Sequence, residues 1–231
     1  MPHNNRSADH ERGNAFLLIM LGIALFAALI FTVSQGTQEG TGNMTRRQAE
    51  IAAADILDYA QRLERGAQHL QARRISENNI SFENDFVAGY SNANCSISRC
   101  KIFDADGGAV AWKAPPVGAN DGSDWVFTGA NYVKGLGAVA DQTDAELLAI
   151  LPNVTRTLCA MLNEKLGIDG IPQENADSAT TKYQGSFATT PKLIEEGSGT
   201  ALDGVRSACF EGDTSPAAGT YHFYHVLLQR P

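Results

Sequence analysis

Positive charge is in short supply. Lys and Arg total 18 against 26 Asp and Glu, which leaves a formal net charge of -8 and a pI near 5.1. A chain with no cationic surplus cannot neutralise a run of phosphates, so nucleic acid is excluded as an expected partner. Cysteine does not occur before Cys95, and no two cysteines stand in a Cys-x-x-Cys pair. The spacing used by thiolate zinc sites is therefore missing. Neither a Gly-x-Ser-x-Gly elbow nor a Gly-Lys-Ser/Thr phosphate loop is found, which removes the two commonest sequence signatures of acyl and phosphoryl transfer. Aromatics are only 8% while Gly reaches 22 residues, a balance that suits short strands and many turns better than a helical bundle. The expectation is an α+β fold with no catalytic residue, no cofactor and no metal ligand.

What the chain does have is Ala15 to Val33, an uninterrupted apolar run without a charge. At about 1.5 Å per residue it would reach about 28 Å, close to the ~30 Å hydrocarbon thickness of a bilayer. It reads as a transmembrane helix over 14–34, preceded by a cytoplasmic tail or leader over 1–13. No Ala-x-Ala cleavage site follows it, so an ordinary signal peptide is the weaker reading. Arg6 and Arg12 before the run nearly balance Arg46 and Arg47 after it, leaving orientation by positive charge almost undecided. All four cysteines, Cys95, Cys100, Cys159 and Cys209, lie beyond the run, and this places the long C-terminal part in an oxidising space. Three pairings exist. Cys95 with Cys100 and Cys159 with Cys209 is the favoured one, with metal thiolates and free buried thiols as the alternatives.

The leader ends Glu11-Arg12-Gly13, and the apolar helix begins Asn14-Ala15-Phe16-Leu17-Leu18-Ile19. This start resembles the N-terminus of bacterial type IV pilins and pseudopilins. The resemblance implies cleavage after Gly13, Asn14 as the mature N-terminus, and a helix that stores the subunit in the inner membrane before assembly. Leu18 stands where that family usually carries a glutamate at the fifth mature position, so the likeness is to those minor pilins, and the tip pseudopilin, that lack it. It covers the leader and the apolar run only. Past it, residues 35–44 contain Gly36, Gly40 and Gly42, a linker composition where such a pilin would continue its helix.

The domain expected over 45–231 opens with a capping box, Thr45 and Gln48. Ala49, Ala53, Ile56, Ala60, Leu63, Ala67 and Leu70 then repeat at steps of four and three, which predicts a helix over 46–74. Strands are expected at 81–90, 101–103, 109–112, 125–133, 183–189, 205–210 and 221–228, with a hairpin turn at 104–108. Two short helices are expected at 143–150 and 154–166, the second stopped by Gly167. The sheet is expected to be antiparallel. Residues 169–182 read as a long polar loop.

Three constellations carry some chemistry. Gly135-Leu-Gly137-Ala-Val-Ala140 fits a dinucleotide fingerprint, but without a βαβ context it reads as a turn. Asp104, Asp106, Asn120, Asp121 and Asp124 could offer oxygens to calcium, yet no bidentate Glu stands at the needed distance, and turn caps are the simpler reading. His222 and His225 are separated by three, which on a strand puts them on opposite faces. The sequence therefore points to a non-catalytic, pilin-like or pseudopilin-like assembly subunit of the bacterial inner membrane with its domain in the periplasm or on the cell surface. Its partners would be the bilayer, through 15–33, and other proteins, including copies of itself. A tethered periplasmic binding module that never enters a filament is the alternative.

Overall fold

Alanine spacing shapes the first helix. The computed structural model describes residues 19–23, 44–136, 144–173 and 180–230. The chain divides into a unit over 1–43 and a unit over 44–231. In the first, Ile19–Ile23 is helical and exposed. The processing site Gly13 and Asn14, most of the expected span, and the glycine-rich stretch 35–43 lie outside the described residues. Among the described residues no helix is long and apolar enough to cross a membrane.

In the second unit helix α1 runs Arg46–Ala72. The expected capping box is formed: Thr45 Oγ1 accepts from the Gln48 N–H at 3.3 Å, and the Thr45 N–H donates to Gln48 Oε1 at 3.0 Å. Its buried face is Ala49, Ala52, Ala53, Ile56, Tyr59, Ala60, Leu63, Gly66, Ala67 and Leu70. Five alanines and a glycine in that stripe let neighbouring backbone come close. A Cβ on Gly66 would sit 2.6 Å from Val110 and 3.3 Å from the Gly108 carbonyl.

The stripe packs on one face of a five-stranded sheet in the order β3-β1-β2-β5-β4. The strands are β1 (Val126–Val133), β2 (Glu146–Val154), β3 (Lys192–Ile194), β4 (Ser207–Glu211) and β5 (Tyr221–Leu228). Phe127, Leu147, Ala149, Leu151, Cys209, Phe223 and Leu227 face the helix side. Val133, Leu148, Ile150, Ala208, Phe210, Tyr224 and Val226 face a second core, closed by Leu136, Ile194 and Leu202. Helix α2, Arg156–Leu166, leaves β2 through the cap Thr155 and stops at Gly167, whose φ of 75° is the left-handed conformation glycine permits.

Several expectations are corrected. The sheet is mixed, because β3 pairs with β1 in parallel. Of the helix expected over 143–150, residues 146–150 form the first part of β2 instead, so α2 is the one short α-helix among the described residues of this unit. β2 is buried on both faces, and a continuous apolar run of that length does not distinguish strand from helix by period. Pro152 lies in the register shift near its end, where a missing N–H costs little.

Residues 81–90, 101–103, 109–112 and 183–189 form no strand. Ser81 and Lys101 make an isolated bridge, and the 104–108 turn is closed by Val110 N–H on the Ile102 carbonyl at 3.1 Å without a ladder. These segments serve the outer edge of β1 in another way. The Tyr90 hydroxyl donates to the Trp125 carbonyl and accepts from the Phe127 N–H, at 3.2 and 3.1 Å. The N–H groups of Tyr183 and Ala188 donate to the Phe127 and Gly129 carbonyls at 2.8 and 2.9 Å.

Both favoured disulfides are formed, Cys95–Cys100 and Cys159–Cys209. The second joins α2 to β4 across 50 residues. Replacing Cys159 and Cys209 together by Ala is expected to lower stability by about 2–5 kcal/mol in urea unfolding; an unchanged midpoint would contradict a structural role for this bridge.

Candidate functional site

Strand parity decides which polar side chains meet. Ser207 and His225 are opposite one another across β4 and β5. They share the face of Cys209 and Phe223, which is the face α1 covers. From α1, Glu64 reaches down between the buried Ala60 and Ala67 to the same place. His225 Nε2 lies 3.0 Å from Glu64 Oε2, and His225 Nδ1 lies 2.5 Å from Ser207 Oγ. Arg206 Nη2 holds the other carboxylate oxygen of Glu64 at 2.8 Å.

The hydrogen-bond chemistry of this cluster is determined by its ends. An ionised carboxylate only accepts, so Nε2 carries a proton toward Glu64; in the neutral ring Nδ1 then presents its lone pair to the Ser207 hydroxyl. The Glu64 carboxyl is held below its ordinary range, foremost by the hydrogen bond from His225 and further by the Arg206 guanidinium, with burial acting the other way. His225 is 6% exposed, while Ser207 is half-buried on the edge strand. The arrangement is a hydroxyl–imidazole–carboxylate series assembled from three elements.

His222 lies on the opposite face, stacked on Phe210 at 5.7 Å. The Asn153 N–H donates to its Nδ1 at 3.4 Å, and its Nε2 lies 2.8 Å from Thr220 Oγ1. Thr220 in turn donates to the Ala217 carbonyl at 2.6 Å. Nδ1 must accept, so Nε2 carries the single proton of a neutral ring. Burial disfavours the cation and pushes His222 down to about 4. Ser123, Asp124, Trp125, Asn153, Lys182 and His222 line an open cavity of about 520 Å³ beside this network.

The remaining sequence candidates are placed as follows. Asp104 accepts the Asp106 N–H at 2.9 Å. Asn120 caps its own loop through the Ser123 and Pro152 carbonyls and the Gly122 N–H. Asp121 takes the Ser123 hydroxyl and the Asn153 amide, and these hydrogen bonds, the hydroxyl's foremost, lower its carboxyl. Among the described residues no group of three or more His, Cys, Asp or Glu is arranged to hold a metal ion. Gly135, at φ 72°, turns the chain beside Gly204; Gly137 to Ala140 lie outside the described residues. Ser98 and Lys101 stand at a Ser-x-x-Lys spacing, and the lysine pairs with Glu83 at 2.6 Å.

Two further features escape sequence reasoning. A groove of about 840 Å³ runs between α1 and residues 108–113, lined by Asp55, Tyr59, Arg62, Arg65, His69 and Trp112 among others. Phe86, 73% exposed, stacks on Trp112 at its rim. Glu146 is a buried carboxyl at the start of β2, with the Val133 N–H donating to its Oε2 at 3.1 Å. Burial pushes it up to about 7.

No protein-family model, no curated protein and no solved structure matches the chain. The residues themselves therefore carry the functional argument.

Glu146 yields a test with a definite sign. Its folded-state affinity for a proton exceeds that of an unfolded glutamate, so its stabilising contribution is complete below about pH 4.5 and is lost as pH rises through about 7. Glu146→Gln keeps an acceptor for Val133 but cannot ionise. It is expected to be more stable than the parent at pH 8 by about 1–3 kcal/mol and equal to it near pH 4. Parallel stability–pH curves for the two proteins would contradict the assignment.

Proposed function

We propose that the protein is a membrane-anchored extracytoplasmic subunit of pilin-like or pseudopilin-like type, acting through structure and assembly. The observation that carries this reading is the pair of disulfides, both formed in the part of the chain that follows the apolar run. Disulfides persist in oxidising compartments. An apolar N-terminal run with such a domain behind it has the anatomy of a single-pass protein of the bacterial inner membrane whose domain lies in the periplasm or at the cell surface. The run 15–33 would hold the subunit in lipid, where a helix satisfies its own backbone groups.

The domain contributes a surface. Ile51 on α1 and Phe86 beside the α1 groove are 72% and 73% exposed. Large apolar side chains at a concave, charged rim are the means by which such a domain meets another protein. The same groove favours the second reading, a tethered binding module that stays out of any filament.

N-terminal sequencing and intact mass of the protein taken from membranes separate the two. Assembly through pilin-type processing predicts a mature chain beginning at Asn14. Retention of Met1 or Pro2 would contradict processing and leave the tethered module.

A further inference from the structure

The Glu64–His225–Ser207 series does more than join helix to sheet. We propose that Ser207 is a nucleophile, with His225 as its general base, that accepts the acyl group of a small carboxylic ester. The inference does not rest on the anchored-subunit reading, and it departs from the sequence expectation that no residue is catalytic.

Three observations support it. First, the proton inventory is the one a hydroxyl nucleophile needs. In the neutral ring Nε2–H is committed to Glu64, and Nδ1, 2.5 Å from Ser207 Oγ, is the nitrogen placed to take the hydroxyl proton. The ring is turned relative to the usual serine-hydrolase arrangement, with Nδ1 rather than Nε2 at the hydroxyl, but the roles of base and orienting carboxylate are intact. Second, the base is shielded while the nucleophile is reachable: His225 is 6% exposed and Ser207 is half-buried on an edge strand.

Third, among the described residues nothing pairs with the outer edge of β4 at this residue. The Val226 N–H bonds the Arg206 carbonyl at 2.8 Å, so in the antiparallel register the backbone groups of Ser207, Cys209 and Glu211 point away from β5. Asn163 covers Cys209, accepting its N–H and donating to its carbonyl, each at 2.8 Å. The Pro172 carbonyl covers the Glu211 N–H at 2.9 Å. Neither partner reaches Ser207, whose outward N–H is a donor for the acyl oxygen of an incoming ester.

The reaction balances without a co-reactant other than water. Ser207 Oγ forms a bond to the acyl carbon as its proton moves to His225 Nδ1. The ester C–O bond breaks, and the departing alkoxide takes that proton from Nδ1. Water, deprotonated in the same way, then releases the carboxylic acid and restores the serine. Glu64 and Arg206 are positioning residues: the carboxylate holds the imidazole and stabilises its cation, and the guanidinium holds the carboxylate.

The test uses the full chain in detergent with its disulfides intact and a melting curve recorded for each protein. A fluorophosphonate probe reports the nucleophile directly. The Oγ–P bond forms, the P–F bond breaks, and the serine proton passes through His225 to solvent. The proposal expects one adduct per chain, mapped to Ser207 by mass spectrometry and absent in Ser207→Ala. In His225→Ala the labelling rate should fall by about 10²–10⁴-fold and recover partly on addition of free imidazole. In Glu64→Gln the midpoint of the labelling–pH curve should move to lower pH, a shift that a merely structural tie would not produce. A folded parent protein that yields no Ser207 adduct overturns the proposal, as does labelling at an unchanged rate in His225→Ala.

Discussion

Close packing between α1 and the sheet is the constraint on which the rest of the unit depends. Ala49, Ala53, Ala60 and Ala67 are fully buried, and side chains this small bring the helix axis near the strands. Proximity explains why Glu64, on the flank of the stripe, reaches a histidine on β5, and why Gly66 has no room for a Cβ against residues 108–110. Tyr59 takes part in the same contact, with its ring 5.5 Å from Trp125 and its hydroxyl accepting the Lys113 N–H at 3.2 Å. Burial drives that phenol well above its ordinary range. A charged group on such a seam needs partners, and Glu64 is held by His225, Arg206 and the Gln68 amide.

The second organising feature is how the sheet ends. Both of its faces are buried, so the exposed edges are where unpaired backbone would be costly or adhesive. Side chains take the place of missing strands. A tyrosine hydroxyl satisfies the N–H of Phe127 and the carbonyl of Trp125 on β1. An asparagine carboxamide, itself fully buried, does the same for Cys209 on β4. The Cys159–Cys209 disulfide locks that arrangement, because it ties the helix carrying Asn163 to the strand Asn163 caps. Ser207 is the next outward residue along this edge, and its exposure follows from how far α2 extends.

Part of this was legible in the residues. The α1 stripe, its capping box, the Gly167 stop and the strands at β1, β4 and β5 are local patterns, and local patterns survive folding. β2 was misread because burial on both faces erases the alternation that identifies a strand. The loops along β1 were misread as strands because they bond its edge through single contacts, a long-range fact with no period. Of the site, the opposite facing of His222 and His225 follows from their spacing. That Ser207 shares the face of Cys209, and so points toward α1, was equally available from parity. What no spacing reveals is that a glutamate 161 residues earlier in the chain than His225 completes the series.

The central claim, that small side chains set the helix–sheet distance, is open to direct measurement by comparing two substitutions on one helix. Ala60 is fully buried in the stripe, and Ala54 is exposed on the opposite side. In urea unfolding, Ala60→Leu is expected to lose about 1–3 kcal/mol by overpacking, while Ala54→Leu stays within about 0.5 kcal/mol of the parent. Equal stability of the two variants would contradict the account.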